Sequence, residues 1–242
     1  MACAVPVHHY GKLDEALGAA KGEAYYQLGK QKIEALGNDL DALCELAIQA
    51  GELKRFAEAL ELWQRVVAIN ADIPVAFFNM SAAHLELGQY QEGLKASGRA
   101  MALAPQMKEA IYNHAVCAFY AGDAKQSIAT LEDLLRRFPD NPSFEVMLAL
   151  ACCCDGQPGR GVELFRKLRQ LNCGFSDAIV RVARKLIAAG RSEYARSLLT
   201  AAIETDNVNP DLLALVNELL ATPEIQRNEL AQPRRAAAQA RA

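Results

Sequence analysis

The chain has 242 residues, 52% of them hydrophobic, and a formal net charge of −3 at pH 7. That apolar content supports a folded protein over most of its length, and the slight acidity argues against a general nucleic-acid binder, which needs a basic surface. The composition is rich in Ala, Leu, Glu, Lys and Arg, with Gly and Pro isolated between them, so we expect an all-α protein.

No targeting or membrane-spanning segment is recognisable in the sequence. Residues 1–17 lack the basic start and apolar stretch of a secretory signal, and the longest apolar run, 146–154, is too short to span a bilayer. The seven cysteines are not spaced as zinc ligands and fit reduced thiols. We therefore expect a cytoplasmic protein with no membrane insertion, no metal and no cofactor.

An internal repeat organises the middle of the chain. Five segments align without a gap at a period of 34 residues: 40–73, 74–107, 108–141, 142–175 and 176–209. The eighth and twentieth positions are small in every segment, which lets two helices cross closely. The eighth positions are Ala47, Ser81, Ala115, Ala149 and Ala183, and the twentieth are Ala59, Gly93, Ser127, Gly161 and Ala195.

A turn between the two helices of each segment is predicted at the fifteenth position. Four segments place glycine there, at Gly88, Gly122, Gly156 and Gly190, and the first segment has Lys54 instead. Glycine suits a turn that needs a positive φ. Pro105 and Pro139 fall where the second helices of two segments should end.

With this register the chain resembles the tetratricopeptide repeat family over residues 40–209, most closely in the segment that begins at Pro74. The resemblance implies a right-handed α-solenoid of stacked antiparallel helix pairs. Glu145, at an apolar position, and Lys54, at the turn, depart from the family pattern. They weaken individual repeats without threatening the fold.

The flanking segments are predicted separately. Residues 1–39 are expected to form a helical cap, with a long helix near 12–36. Residues 210–221 are apolar at helical spacing and are expected to form a capping helix over the last repeat. Residues 222–242 are polar and Ala-rich, and we interpret them as a flexible tail.

In this family the first helix of each pair lines the inner face of the solenoid. The resemblance assigns that face to the second, fifth, sixth, ninth, twelfth and thirteenth positions, here called the inner-face positions. In the central segments they hold mainly apolar and aromatic side chains, and Asp41, Glu45 and Glu52 lie at the start of the face. The predicted partner-binding groove comprises Phe78, Asn79, Leu85, Tyr112, Asn113, Val116, Phe119, Tyr120, Met147, Leu150, Cys153, Arg181 and Arg184.

An exposed apolar stripe of this size usually serves a partner. The alternative is that the chain's own N-terminal segment or tail fills it. Asn79 and Asn113 share the sixth position, where asparagines of the family often bind the backbone of an extended peptide; both equally suit solvated surface positions. Ser143 and Met147 stand where a terminal-carboxylate clamp needs Lys and Arg, so a chaperone-type C-terminal ligand is not expected.

The sequence carries no catalytic signature, and we expect no enzyme activity. Gly156 and Gly161 of the run "GQPGRG" belong to the repeat rather than to a phosphate loop, since no strand precedes them. His84 and His114 are expected in the helix-packing layer. In the triplet 152–154 successive side chains point about 100° apart on a helix, so the thiols cannot chelate one metal.

Within that triplet Cys152 is expected inside, with Cys153 and Cys154 facing the groove. The function that follows is a non-catalytic scaffold or adaptor that binds an apolar or amphipathic protein segment. Alternatives are a chaperone-like or regulatory subunit of a neighbouring enzyme or secretion system, such as a glycosyltransferase accessory protein, then a thiol-based sensor or an RNA-binding helical repeat.

Overall fold

The computed structural model describes residues 15–171 and 175–205, together with residues 210, 214 and 217. The helices within this part of the chain are α1 (Glu15–Leu36), α2 (Leu40–Glu52), α3 (Phe56–Ile69), α4 (Pro74–Glu86), α5 (Tyr90–Leu103), α6 (Lys108–Ala121), α7 (Ala124–Arg137), α8 (Pro142–Cys154), α9 (Pro158–Gln170), α10 (Ser176–Ala188) and α11 (Ser192–Ile203). The prediction of an all-α fold built from helix pairs is confirmed.

The helix starts follow the repeat register. The first helix of every pair, from α2 to α10, begins at the residue that opens its segment. Local chemistry sets several of these starts: Asp39 accepts a hydrogen bond from the Ala42 amide at 2.9 Å, and Pro142 occupies the first turn of α8. Both devices suit a helix N-terminus, whose first amides have no partner inside the helix.

The turns inside the helix pairs adopt the left-handed backbone that the sequence predicts. The φ angles are +73° at Gly88, +100° at Gly122, +74° at Gly156 and +71° at Gly190. Lys54 takes the same conformation with φ +60°. All five turns therefore have the same backbone geometry. In the first turn this geometry is adopted by a lysine, for which a positive φ is sterically unfavourable.

Residue contacts divide the chain into two compact units, Met1–Cys117 and Ala118–Ala242. In the first unit α1 packs on α2, α2 on α3, α3 on α4 and α4 on α5. Trp63 is 2% exposed and lies in a core cluster with Leu43, Leu46 and Val66. Burying side chains of this size stabilises the unit by about 2 kcal/mol each.

In the second unit α7 packs on α8 and α8 packs on α9. The last pair, α10 and α11, docks through its second helix: α11 packs on both α8 and α9. Phe165 of α9 stacks on Phe175 with ring centres 4.8 Å apart, just before α10 begins. The inner helix α8 is thus covered by a later element of the same unit.

The chain ends lie mostly outside the described residues. The predicted N-terminal helix is present as α1, while residues 1–14 are not described. Of the predicted capping helix 210–221 only residues 210, 214 and 217 are described, and all three are helical and exposed. The predicted tail, 222–242, falls outside the described residues. Among those described, no helix combines the length and apolarity needed to cross a membrane.

Candidate functional site

The small positions of the repeat are the contacts between paired helices. All five eighth positions are buried, from Ala47 at 1% exposed to Ala183 at 0%. A β-carbon at Gly93 would lie 3.5 Å from the Ser81 carbonyl oxygen and only 2.7 Å from Cys117 Sγ. The eighth and twentieth positions therefore meet as predicted, and they fix which face of each first helix is left for other contacts.

In the first unit that remaining face is open on α2 and α4. Ile48 is 47% exposed and Val75 is 42% exposed, although both are large apolar residues. The predicted groove residues Phe78, Asn79 and Leu85 are half-buried beside them. Exposed apolar side chains grouped on one face mark a binding surface, because covering them removes apolar area from water and lowers the free energy.

A cavity of about 380 Å³ lies within this face. Trp63 lines it together with small residues from α2 and α4, and Glu52 is its charged lining residue. The lining residues are Ala47, Ile48, Gly51, Glu52, Phe56, Ala59, Trp63, Asn79, Ala82 and Ala83. A cavity of this size and composition can take one large apolar side chain, with Glu52 available to a cation.

Both predicted peptide-binding asparagines already bond within the protein. Asn79 Nδ2 donates to the Val75 carbonyl at 3.0 Å, inside its own helix. Asn113 Nδ2 donates to Ser81 Oγ at 3.1 Å and so ties α6 to α4. Tyr112, next to Asn113, is half-buried. A role for these residues in binding a partner stays a prediction.

Six other predicted groove residues are buried instead of lining an open surface. They are Val116, Phe119, Tyr120, Met147, Leu150 and Cys153, each between 1% and 7% exposed. For those on α8 the reason is α11, which packs against that helix. The expectation of a continuous open lining through the central repeats therefore does not hold for these side chains.

The turn between α10 and α11 covers the end of α6 within the second unit. Arg191 Nη1 donates to the Phe119 carbonyl at 3.3 Å, and Lys185 Nζ lies 5.7 Å from the centre of the Tyr120 ring. The inner face of this unit is thus occupied by its own last helix pair. Self-occupation was one of the two alternatives for the groove, although the occupant is neither the N-terminal segment nor the tail. Arg181 and Arg184 of α10 are exposed.

The cysteine triplet packs in the interior. Cys152 is 0% exposed, as predicted, but Cys153 and Cys154 are also buried rather than facing an open groove. Cys153 Sγ lies against Gly161, where a side chain would clash with it, and Cys154 Sγ donates to the Tyr194 carbonyl at 3.7 Å. Burial raises the pKa of both thiols to about 12. A protonated thiol is a poor nucleophile, which disfavours the thiol-sensor alternative.

The histidines that are described lie in the packing layer, as expected. His114 Nδ1 is 2.9 Å from Ser97 Oγ, and burial lowers the pKa of its imidazole. His84 Nδ1 is 2.7 Å from Gln89 Oε1. Among the side chains described in residues 20–171 and 175–205, no group of three or more His, Cys, Asp or Glu is placed to hold a metal ion.

Glu145, which departs from the family pattern, is held by an ion pair that the sequence did not reveal. Glu145 is 7% exposed, and its Oε1 accepts a hydrogen bond from Lys167 Nζ at 2.6 Å. Contact with Glu145 raises the pKa of that lysine. A paired carboxylate thus replaces the apolar residue of the family at this position.

Comparisons with known proteins agree with the repeat geometry. Residues 84–150 match the family model described as tetratricopeptide repeat, and no curated protein matches the chain. A tetratricopeptide repeat protein from Parabacteroides merdae is similar, with TM-score 0.62 and 14% identity over 87% of this chain and 81% of that chain. MamA from Desulfovibrio magneticus, from residue 41 onward, has TM-score 0.60 and 18% identity over 65% and 89%.

YrrB is a third similar structure, with TM-score 0.55 and 13% identity over 78% of this chain and 97% of that chain. At these identities the likeness concerns the fold. Together with the small crossing positions, the five left-handed turns and the matched segment 84–150, it shows that the chain has a tetratricopeptide repeat fold.

Proposed function

We propose that the chain is a non-catalytic interaction scaffold whose open inner face, on α2 and α4, binds a protein segment with apolar side chains. The observation that carries this proposal is the cavity of about 380 Å³ flanked by the exposed Ile48. One large side chain of a partner fits such a cavity, and neighbouring apolar residues extend the contact along α4.

The comparisons support the same class of function. YrrB is a tetratricopeptide repeat protein described as having an unusual peptide-binding site. Because fold alone does not fix function, the proposal for this chain depends on its own surface. The proposed contact residues are Ile48, Val75, Phe78, Asn79 and Leu85, with Glu52 at the cavity.

A selection from a random peptide library on the full chain tests the proposal. We expect peptides with large apolar residues to be enriched on the wild type and lost on Ile48→Asp, because a carboxylate beside the cavity opposes apolar burial. Ile69→Asp is the matched control, since Ile69 at the end of α3 is also 47% exposed but lies outside the cavity lining.

Enrichment that both variants retain, or that both lose, would place binding elsewhere and overturn the proposal. Circular dichroism of the two variants checks that each keeps its helices. Phe119→Arg is unsuitable as a probe of the groove, because Phe119 is 3% exposed and a buried arginine would disturb packing.

A further inference from the structure

The open inner face of the first unit has an unbalanced charge. Its twelve inner-face positions on α2 and α4 include the carboxylates of Asp41, Glu45, Glu52 and Glu86 and no lysine, arginine or histidine. Lys32 of α1 reaches Glu45 at 2.7 Å and also interacts electrostatically with Asp41. Glu52 lines the cavity, next to the exposed Ile48.

The second unit contains an example of what such a face accepts. There the inner-face positions Phe119 and Tyr120 are covered by cationic side chains of the last helix pair, Arg191 on the Phe119 carbonyl at 3.3 Å and Lys185 over the Tyr120 ring at 5.7 Å. The helix that supplies Lys185, α10, is amphipathic: Ile179, Val182 and Leu186 are buried, while Arg181 and Arg184 are exposed.

The repeat register relates the two units position by position. Tyr120 holds the thirteenth position of its segment, and the same position holds Glu52 in the first segment and Glu86 in the second. A cation placed there in the first unit would meet a carboxylate instead of an aromatic ring. The attraction to the carboxylate would be of similar strength to a cation–π contact and would weaken as salt is added.

We propose that the open face of α2 and α4 binds a cationic amphipathic partner helix, with an apolar side chain in the cavity and a lysine or arginine at Glu52. This inference rests on the proposed scaffold function and names the chemistry of its partner. Apolar burial supplies affinity, and the carboxylates select the sign of charge and the orientation of the helix.

A pair of synthetic peptides tests the charge preference on the full chain. The first carries the sequence of α10, SDAIVRVARKLIA, and the second replaces its two arginines and its lysine with glutamate. Fluorescence anisotropy should give an affinity about tenfold higher for the cationic peptide at low salt, since two or three partly exposed ion pairs supply that difference. The difference should shrink as salt is added.

Variants locate the site. Glu52→Lys should remove most of the preference for the cationic peptide, whereas Glu163→Lys, the same charge change at an exposed position of α9, should retain it. Retention in both variants would mean that the peptide binds elsewhere, for example by displacing the last helix pair of the second unit, which would overturn the assignment to the first. Equal binding of the two peptides, or no binding, would also overturn it.

The scaffold proposal can be judged apart from this result. If both peptides bind equally and Ile48→Asp weakens both, the face binds apolar segments without charge selection, and only the present inference fails. If sedimentation shows a dimer that Glu52→Lys dissociates, the occupant is a second copy of the chain, which also contradicts a separate partner. If replacing Arg234, Arg235 and Arg241 with glutamate increases peptide affinity, the occupant of the face is the chain's own tail, and this result too contradicts a separate partner.

Discussion

The Cys153 sulfur fills the space that a side chain at Gly161 would need, so the two residues lock α8 against α9. A β-carbon at 161 would also lie 2.9 Å from the Ala149 carbonyl oxygen. We expect Gly161→Ala to lower the free energy of unfolding by about 2 kcal/mol, as measured by urea denaturation, because the helices must separate.

Gly159→Ala is the control, since a β-carbon there meets nothing within 4 Å. It should be neutral or stabilise by up to about 1 kcal/mol through helix propensity. Adding Cys153→Ala to Gly161→Ala should recover part of the loss, because the sulfur clash disappears while the carbonyl contact remains. A Gly161→Ala protein as stable as the wild type would contradict the close crossing.

Lys54 occupies a turn that the other four repeats give to glycine. Its φ of +60° is costly for a residue with a β-carbon. We expect Lys54→Gly to raise the free energy of unfolding by about 0.5 to 1 kcal/mol, the strain relieved less the added entropy of the unfolded chain. Gly88→Lys, the reverse change in the next repeat, should lower it by about 1 kcal/mol, and equal stabilities would show that the turn tolerates either residue.

The register and the last helix pair illustrate what a single sequence can and cannot predict. The turn residues and the small crossing positions were readable because each follows from local geometry that repeats five times. The docking of α11 on α8 could not be predicted, because α10 and α11 carry the same sequence pattern as the other pairs. No local feature of the sequence indicates which helix packs on α8. For the same reason Cys153 and Cys154 were assigned to an open groove.

Substitutions at the two ends of the Glu145–Lys167 ion pair should change the free energy of unfolding differently. Lys167→Ala leaves a carboxylate whose side chain is 10% exposed without its partner, and we expect a loss of about 1 kcal/mol, reduced by the lysine's own exposure. Glu145→Leu removes the buried charge and restores the apolar residue of the family, so it should be neutral or stabilising. Urea denaturation at pH 7 compares both, and a large loss in Glu145→Leu would contradict this reading.

The buried thiols predict a loss of stability in alkaline solution. The pKa of Cys154 is raised to about 12 in the folded chain, against about 8.5 in an unfolded one. Above about pH 8 the folded state therefore retains a proton that the unfolded state loses, so the contribution of this thiol to stability is constant below about pH 8 and falls above it. Each such thiol should cost up to about 1.4 kcal/mol per pH unit between these values.

Urea midpoints at pH 8 and pH 10 measure this dependence. Replacing Cys153 and Cys154 with alanine should make the decline shallower, even if the variant is less stable at pH 8. A decline as steep as in the wild type would mean that the thiols ionise without unfolding, and would contradict their burial.

The contact between Arg191 and the Phe119 carbonyl predicts how the last helix pair is held. Arg191→Ala removes this hydrogen bond, which is worth about 1 kcal/mol. The variant should therefore show about fivefold faster labelling of the cysteine thiols in the triplet, measured on the tryptic peptide 138–160. Arg184→Ala, at an exposed position of α10, should leave the rate unchanged. Equal rates in all three proteins would show that this contact does not hold the pair in place.

An NMR titration of the full chain with the cationic peptide shows whether the open inner face of α2 and α4 binds a partner segment. We expect chemical-shift changes centred on Ile48, Glu52 and Asn79, and their loss in Ile48→Asp but not in Ile69→Asp. Changes confined to the second helices of the pairs, such as α3 and α5, would contradict binding at this face. Changes on α8 and α11 with none on α2 and α4 would contradict it as well.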